Sequence, residues 1–176
     1  MFPALSNTCK DLGRGQLSDM LSAVREAAAG ESRLEELNLM MNRMTHISHQ
    51  LVSTSLARLV SVNLYGCDPI LLSLLQGLQD AASPSLRHLD LGYNDLTVYR
   101  APLLADAVLQ LVSVKMREAM MTPMQISMLL TNIATKDTFR LKHLEMSQGS
   151  HVPNEELISQ AKLKLERFEI HGSVLF

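Results

Sequence analysis

The feature that most limits what this chain can fold into is an eleven-residue frame that keeps returning. "LRHLDLGYNDL" at 86–96 sets Leu86, Leu89, Leu91, Asn94 and Leu96 in the spacing L-x-x-L-x-L-x-x-N-x-L. The frame comes back as "LEELNLMMNRM" from Leu34, "LVSVNLYGCDP" from Leu59 and "LVSVKMREAMM" from Leu111. It follows again as "LKHLEMSQGSH" from Leu141 and "LERFEIHGSVL" from Leu165, with a worn copy, "FPALSNTCKDL", from Phe2. Starts at 2, 34, 59, 86, 111, 141 and 165 are 32, 25, 27, 25, 30 and 24 residues apart. Longer and shorter repeats alternate, so the unit is a pair of 52 to 57 residues. The connectors follow suit: "LVSTSLARL" (51–59), "LLADAVLQL" (103–111) and "LISQAKLKL" (157–165) align without gaps, as do "GRGQLSDMLSAV" (13–24) and "TPMQISMLLTNI" (122–133). That alternation is the mark of tandem duplication.

Inside each frame, apolar and polar residues alternate around the second and third apolar positions, which predicts a strand. The connectors place apolar residues three or four apart, as in Ile126, Leu129, Leu130 and Ile133, which predicts a one-faced helix. Thr122-Pro123-Met124-Gln125 supplies a capping box with proline at the first helical position. No single repeat can bury its own apolar face, so neighbours must share a core.

The frame and its spacing resemble the leucine-rich repeat, and the helical connectors are most similar to the ribonuclease-inhibitor-like class. The resemblance implies an α/β fold, a curved right-handed β-α solenoid. Parallel strands would line the concave face and helices the convex face of a horseshoe segment. It implies one array over 1–176 of about seven repeats. The last repeat is incomplete, without an evident C-terminal cap, and the first puts Asn7 at a core position. Both ends therefore predict a longer array or a partner that covers them.

Apolar residues at 47% and charged residues at 19% indicate a globular chain. Net charge −2 gives no field for nucleic acid or an anionic membrane, and 4% aromatics offers few stacking platforms. The most apolar short window, "PILLSLL", is too short to span a bilayer, and "MFPALSNTCKDLGRG" lacks a secretory signal pattern. Two cysteines, Cys9 and Cys67, build neither a disulfide framework nor a four-ligand zinc site. These features predict an intracellular setting, cytoplasmic with the nucleus open, and no cofactor, metal or small-molecule substrate.

No phosphate-cradling loop, nucleophile elbow or H-E-x-x-H motif is present, and "GRG" at 13–15 lacks the longer glycine fingerprint. His46 and His49 stand without a neighbouring cysteine or carboxylate, and His151 marks a degenerate frame position. Cys67 takes a slot that favours an inert core thiol. The predicted chemistry is therefore contact with a protein.

The residues between the frame leucines predict the contact face. One column reads Glu36, Ser61, His88, Ser113, His143, Arg167, and the next reads Asn38, Asn63, Asp90, Lys115, Glu145, Glu169. Asp90, Lys115 and Glu145 alternate in sign, which predicts a cross-strand charge ladder. The third column reads Met40, Tyr65, Gly92, Arg117, Ser147, His171, flanked by Met41 and Tyr93. Met, Tyr and Arg are enriched at interface centres, so Met40, Tyr65, Tyr93 and Arg117 are the leading contact residues. His88, Asp90, Lys115, His143 and Glu145 lie beside them.

The methionine-rich "MREAMMTPMQISM" (116–128) sorts by register. Met116 and Met121 fall on core positions, Met120 and Met128 on positions where sister repeats are polar, and Met124 is ambiguous. They cannot converge on one metal ion, and Met120, Met124 and Met128 form a candidate apolar patch on the loop and helix side. The Asn slot reads Lys10, Asn42, Cys67, Asn94, Ala119, Gly149, Ser173, so bracing Asn is lost in the C-terminal three and that half is expected to be less stable.

The resemblance implies a non-enzymatic interaction module. Similar repeats serve as sensor arrays, scaffolds, substrate-receptor arms of ubiquitin ligases and inhibitors of ribonuclease-type enzymes. The alternative is an enzyme regulator, ribonuclease-inhibitor-like or GTPase-activating, although the activators carry an acidic tail that has no counterpart here.

Overall fold

The structure, a computed structural model, describes residues 14–27, 35–42, 55, 59–67, 85–147 and 154–171. The copy at Phe2 and the residues His46, His49, Cys9 and His151 fall outside these. The chain divides into two compact units, Met1–Asp90 and Leu91–Phe176.

The first unit holds helix α1 (Arg14–Ala27) and strands β1 (Glu36–Asn38), β2 (Ser61–Asn63) and β3 (His88–Asp90). The strands pair in parallel in chain order, with Glu36, Ser61 and His88 in one row and Asn38, Asn63 and Asp90 in another. These are the columns that the frame predicts. Leu37, Val62 and Leu89, between the rows, are buried, as are Leu39 and Leu64. From α1, Leu21 and Val24 join the core.

The second unit alternates helix and strand: α2 (Ala101–Leu109), β4 (Ser113–Met116), α3 (Pro123–Thr135), β5 (His143–Ser147), α4 (Glu155–Lys164) and β6 (Arg167–His171). Its strands are again parallel and in chain order. α2 packs on α3 and α3 on α4. Val114, Met116, Leu144 and Met146 point into the core from β4 and β5, and Ile126, Leu129, Leu130 and Ile133 meet them from the predicted face of α3. On β6 the matching Phe168 and Ile170 are only half-buried.

The duplicated connectors share a demand for small side chains. Ser55, Ala107 and Ala161 align in the three short connectors and all are fully buried. Ser55 is polar, and its hydroxyl donates to Leu21 O at 2.9 Å, so its burial leaves nothing unsatisfied.

The predicted capping box forms at the start of α3. Thr122 Oγ1 accepts from Gln125 N (3.2 Å), and Thr122 N donates to Gln125 Oε1 (2.7 Å). The Gln125 amide then goes further than the motif requires. Its Nε2 donates to Leu96 O (2.6 Å) and Tyr99 O (2.7 Å), which ties the helix start to the preceding loop.

The turns that leave β1, β2, β3 and β4 share one geometry. Met41, Gly66, Tyr93 and Glu118 all have positive φ, between 53° and 65°, and all occupy the eighth frame position. Only Gly66 adopts this region without a Cβ penalty. The next residue braces the turn: Asn42 Nδ2 donates to Leu39 O and Met40 O, and Asn94 Nδ2 to Leu91 O and Gly92 O. Cys67 turns its thiol to Leu39 O and Tyr65 O. Ala119 has no group to offer, and there Glu118 N donates to Ser147 Oγ at 2.7 Å.

Because Glu118 sits in the left-handed region, Glu118→Gly should keep or raise stability, by up to about 1 kcal/mol. Glu118→Val should lower it by at least about 1 kcal/mol, since a β-branched residue tolerates that region least. Denaturant unfolding of both variants checks this, and the reverse order would refute the strain.

Candidate functional site

The face of each strand row that turns away from the buried leucines is polar, and the two units furnish it differently. In the first, Asn38 Oδ1 accepts from Met40 N (3.1 Å) and Asn63 Oδ1 accepts from Tyr65 N (3.0 Å). These asparagines therefore hold the strand ends. Met40 and Tyr65 are half-buried, Asp90 is half-buried, and His88 is exposed.

In the second unit the same rows carry charge. Lys115, Glu145 and Glu169 lie directly opposite one another on β4, β5 and β6. Glu145 is buried at 7% exposure and Glu169 is half-buried, so two like charges face each other across β5 and β6. The expected ladder would have neutralised Glu145 with Lys115. Instead the cation beside Glu145 is Arg117, with Nε 2.7 Å from Glu145 Oε2 and Nη2 3.8 Å from Glu169 Oε2. A diagonal neighbour two residues along a strand lies within reach of a long side chain, and the guanidinium spans both carboxylates as one lysine cannot. No donor lines up with Glu145 Oε2 as a hydrogen bond among the described residues, so that contact is ionic.

Arg167 completes the network. Its Nε and Nη2 reach Glu169 Oε1 at 2.8 and 2.7 Å, and His171 Nε2 lies 3.6 Å from Glu169 Oε2. The Glu169 carboxyl is held below the usual carboxylate range, first by hydrogen bonding from Arg167, against some desolvation. The charges of Arg167, His171 and Arg117 add to the lowering. Nearby, Lys142 Nζ meets Glu166 Oε1 at 2.6 Å and lowers that carboxyl too, while His143 Nε2 lies 3.7 Å from Glu166 Oε2.

Glu145, Glu169 and His171 present ligand atoms within 4.8 Å of one another, close enough for three ligands of one cation. Arg117 and Arg167 already balance both carboxylates, and a divalent ion placed there would face two guanidinium groups. The trio is an ion network rather than a metal centre.

The contact residues separate by unit. Met40, Tyr65, His88 and Asp90 belong to the first, and Tyr93, Arg117, Lys115, His143 and Glu145 to the second. Tyr93 is 46% exposed, its backbone N–H donates to Arg117 O, and Arg117 and Lys115 are exposed. In the methionine segment Met116 and Met121 are buried, while Met120 (58%) and Met124 (67%) are exposed. Met128 departs from expectation: it is half-buried on α3. Val98, 73% exposed, is an apolar residue that register alone did not single out. It sits in the loop that Gln125 ties to α3, between Leu96 and Tyr99.

No family model matches the chain, and no curated protein matches it. Among solved structures it is similar to the tropomodulin C-terminal domain of Caenorhabditis elegans, at 13% identity and a TM-score of 0.45, over 85% of this chain and 81% of that one. A likeness of that size carries no argument about partner or activity. No helix among the described residues is long and apolar enough to cross a membrane.

Two measurements test the network. Arg117→Ala leaves Glu145 buried beside Glu169 without its cation and should cost about 1–2 kcal/mol, limited by the exposure of Arg117. Adding Glu145→Gln should restore most of that loss, and additive costs would mean the pair is not coupled.

A carboxyl whose folded pKa lies below its unfolded value stabilises above the unfolded value, about 4.3. That contribution is lost as pH falls through the folded value. Stability should therefore drop in acid, and Glu169→Gln should flatten the drop. Identical pH profiles for wild type and variant would refute it.

Proposed function

We propose that this chain is a leucine-rich-repeat array of the ribonuclease-inhibitor-like class. On this reading it is a non-enzymatic module that binds a protein partner through the polar face of its strands. The repeat frame runs through the unit boundary at Asp90 and Leu91, within the copy that starts at Leu86, and supports one continuous array. The observation that carries the functional reading is Tyr93 and Arg117, joined by a backbone hydrogen bond and both exposed beside a charge network already fixed in place. Anchors of this kind, with a rigid rim, suit an interface centre.

On the first unit Met40, Tyr65, His88 and Asp90 are proposed contact residues of its own strand face, and on the second Lys115, His143 and Glu145 give Tyr93 and Arg117 a charged border that would set a partner's orientation. Met120 and Met124 are a second, apolar contact on the loop side, with Met128 at its edge. The bare alternative, an enzyme regulator, would use the same face on an enzyme partner.

Proximity labelling around wild-type chain and a variant with Tyr65→Ala and Tyr93→Ala tests the reading, with Arg117→Ala paired to Glu145→Gln to spare the fold. Partners seen with wild type should fall at least about tenfold in the variant. An unchanged partner set, with both proteins melting alike, would remove the strand face from consideration.

A further inference from the structure

β6 is the open edge of the second unit's sheet. β5 lies on one side of it, and among the described residues no strand lies on the other. At five residues it is as long as β5, enough to receive another strand. Exposed edges are commonly guarded by lysine, proline or a bulge. "RFEIH" carries neither lysine nor proline, and its register with β5 runs unbroken from Arg167 to His171. The core side of this strand is also unfinished. Leu144 and Met146 of β5 are fully buried, whereas Phe168 and Ile170 beside them are only half-buried. A further strand would cover both.

The backbone and the charges of β6 say what fits there. Arg167 N donates to Lys142 O at 3.1 Å, so Arg167, Glu169 and His171 bond toward β5. Alternation then turns the N–H and C=O groups of Phe168 and Ile170 outward, to the open edge. A second copy of β6 can meet this edge antiparallel, about a twofold axis, with each side chain kept on its own face of the sheet. With the axis at Phe168, Arg167 stands opposite Glu169 of the second copy, and Glu169 opposite its Arg167. The two Phe168 residues exchange their outward hydrogen bonds, and their rings meet on the core side. Moving the axis to Arg167 or to Glu169 would set like charges opposite each other. Charge complementarity therefore selects one register, centred on an aromatic residue that is still half-open.

We propose that β6 is a self-association edge, at which two copies of this chain join β6 to β6 in antiparallel register centred on Phe168. The pair within one chain, Arg167 Nη2 to Glu169 Oε1 at 2.7 Å, becomes half of a ring of four alternating charges. Each copy covers the other's Phe168 and Ile170. The edge uses neither Tyr65 nor Tyr93, so it stands or falls independently of the strand-face reading.

Sedimentation velocity of the full chain from about 5 to about 500 µM tests it, with a monomer–dimer Kd of about 100 µM or tighter expected. Arg167→Glu and Glu169→Arg, each alone, place like charges across the axis and should weaken self-association about tenfold or more. Mixed in equal amounts, the two variants should associate again, because each then meets its opposite charge at both crossings. Hydrogen exchange reads the edge without any substitution. The amides of Phe168 and Ile170 should gain protection as concentration rises through the Kd, while those of Arg167 and Glu169, already bonded to β5, should not change. A wild-type chain that stays monomeric at about 500 µM, or one that grows past the dimer, would overturn the proposal. So would association untouched by either substitution, no recovery when the two folded variants are mixed, or protection of Phe168 and Ile170 that ignores concentration.

Discussion

The four turns that follow β1 to β4 reverse the chain through a left-handed residue, and in three of them a buried side chain one residue later, Asn42, Cys67 or Asn94, meets the carbonyls that the turn exposes inside the core. Without that partner the turn would combine two costs: a left-handed backbone, about 1–2 kcal/mol for a residue with a Cβ, and unsatisfied buried acceptors. Asn42 and Asn94 each hold two carbonyls with one amide. Cys67 meets the same need with a weaker donor and reaches back to Leu39 of the repeat before it. At Ala119 the brace is gone, and Ser147 of the following repeat accepts the Glu118 N–H instead. In the sister turns the matching N–H groups, on Met41 and Tyr93, go to the carbonyls of Tyr65 and Arg117. The strands, their register and the leucine core all hang on these corners, because the corner decides where the chain turns back toward the helix.

The charge network follows from that register. Parallel pairing in strict alignment forces Glu145 and Glu169 into opposition, and burial of Glu145 makes the opposition expensive. Arg117 resolves it from one row away. The residue proposed as a contact anchor is therefore also the counter-ion of a buried carboxylate. A partner that draws Arg117 toward itself would have to offer Glu145 another positive charge in return.

Much of this was legible in the sequence, for a physical reason. Spacing reports backbone periodicity, so the frame predicts the strands, their columns and the inward Leu, Val and Met positions, and the Thr122 to Gln125 motif predicts how α3 begins. Spacing does not report how far a side chain reaches. Directly opposite residues suggested Lys115 for Glu145, while the longer Arg117 crosses the diagonal. Met128 follows the same limit: its sisters are polar, yet a flexible thioether on α3 folds partly under cover.

Gln125 entered as a capping residue, but its second role reaches beyond the helix. One amide holds the α3 start, Leu96 O and Tyr99 O together, so the loop bearing Val98 and the helix end bearing Met124 are set before anything arrives. Binding to mobile surface loses entropy as side chains and loops freeze, about 0.5–1.5 kcal/mol for each rotamer-rich group. Around Val98 the backbone share of that loss has been met during folding. Apolar surface held in this way can keep a partner with few contacts, and it can do so from a modest area.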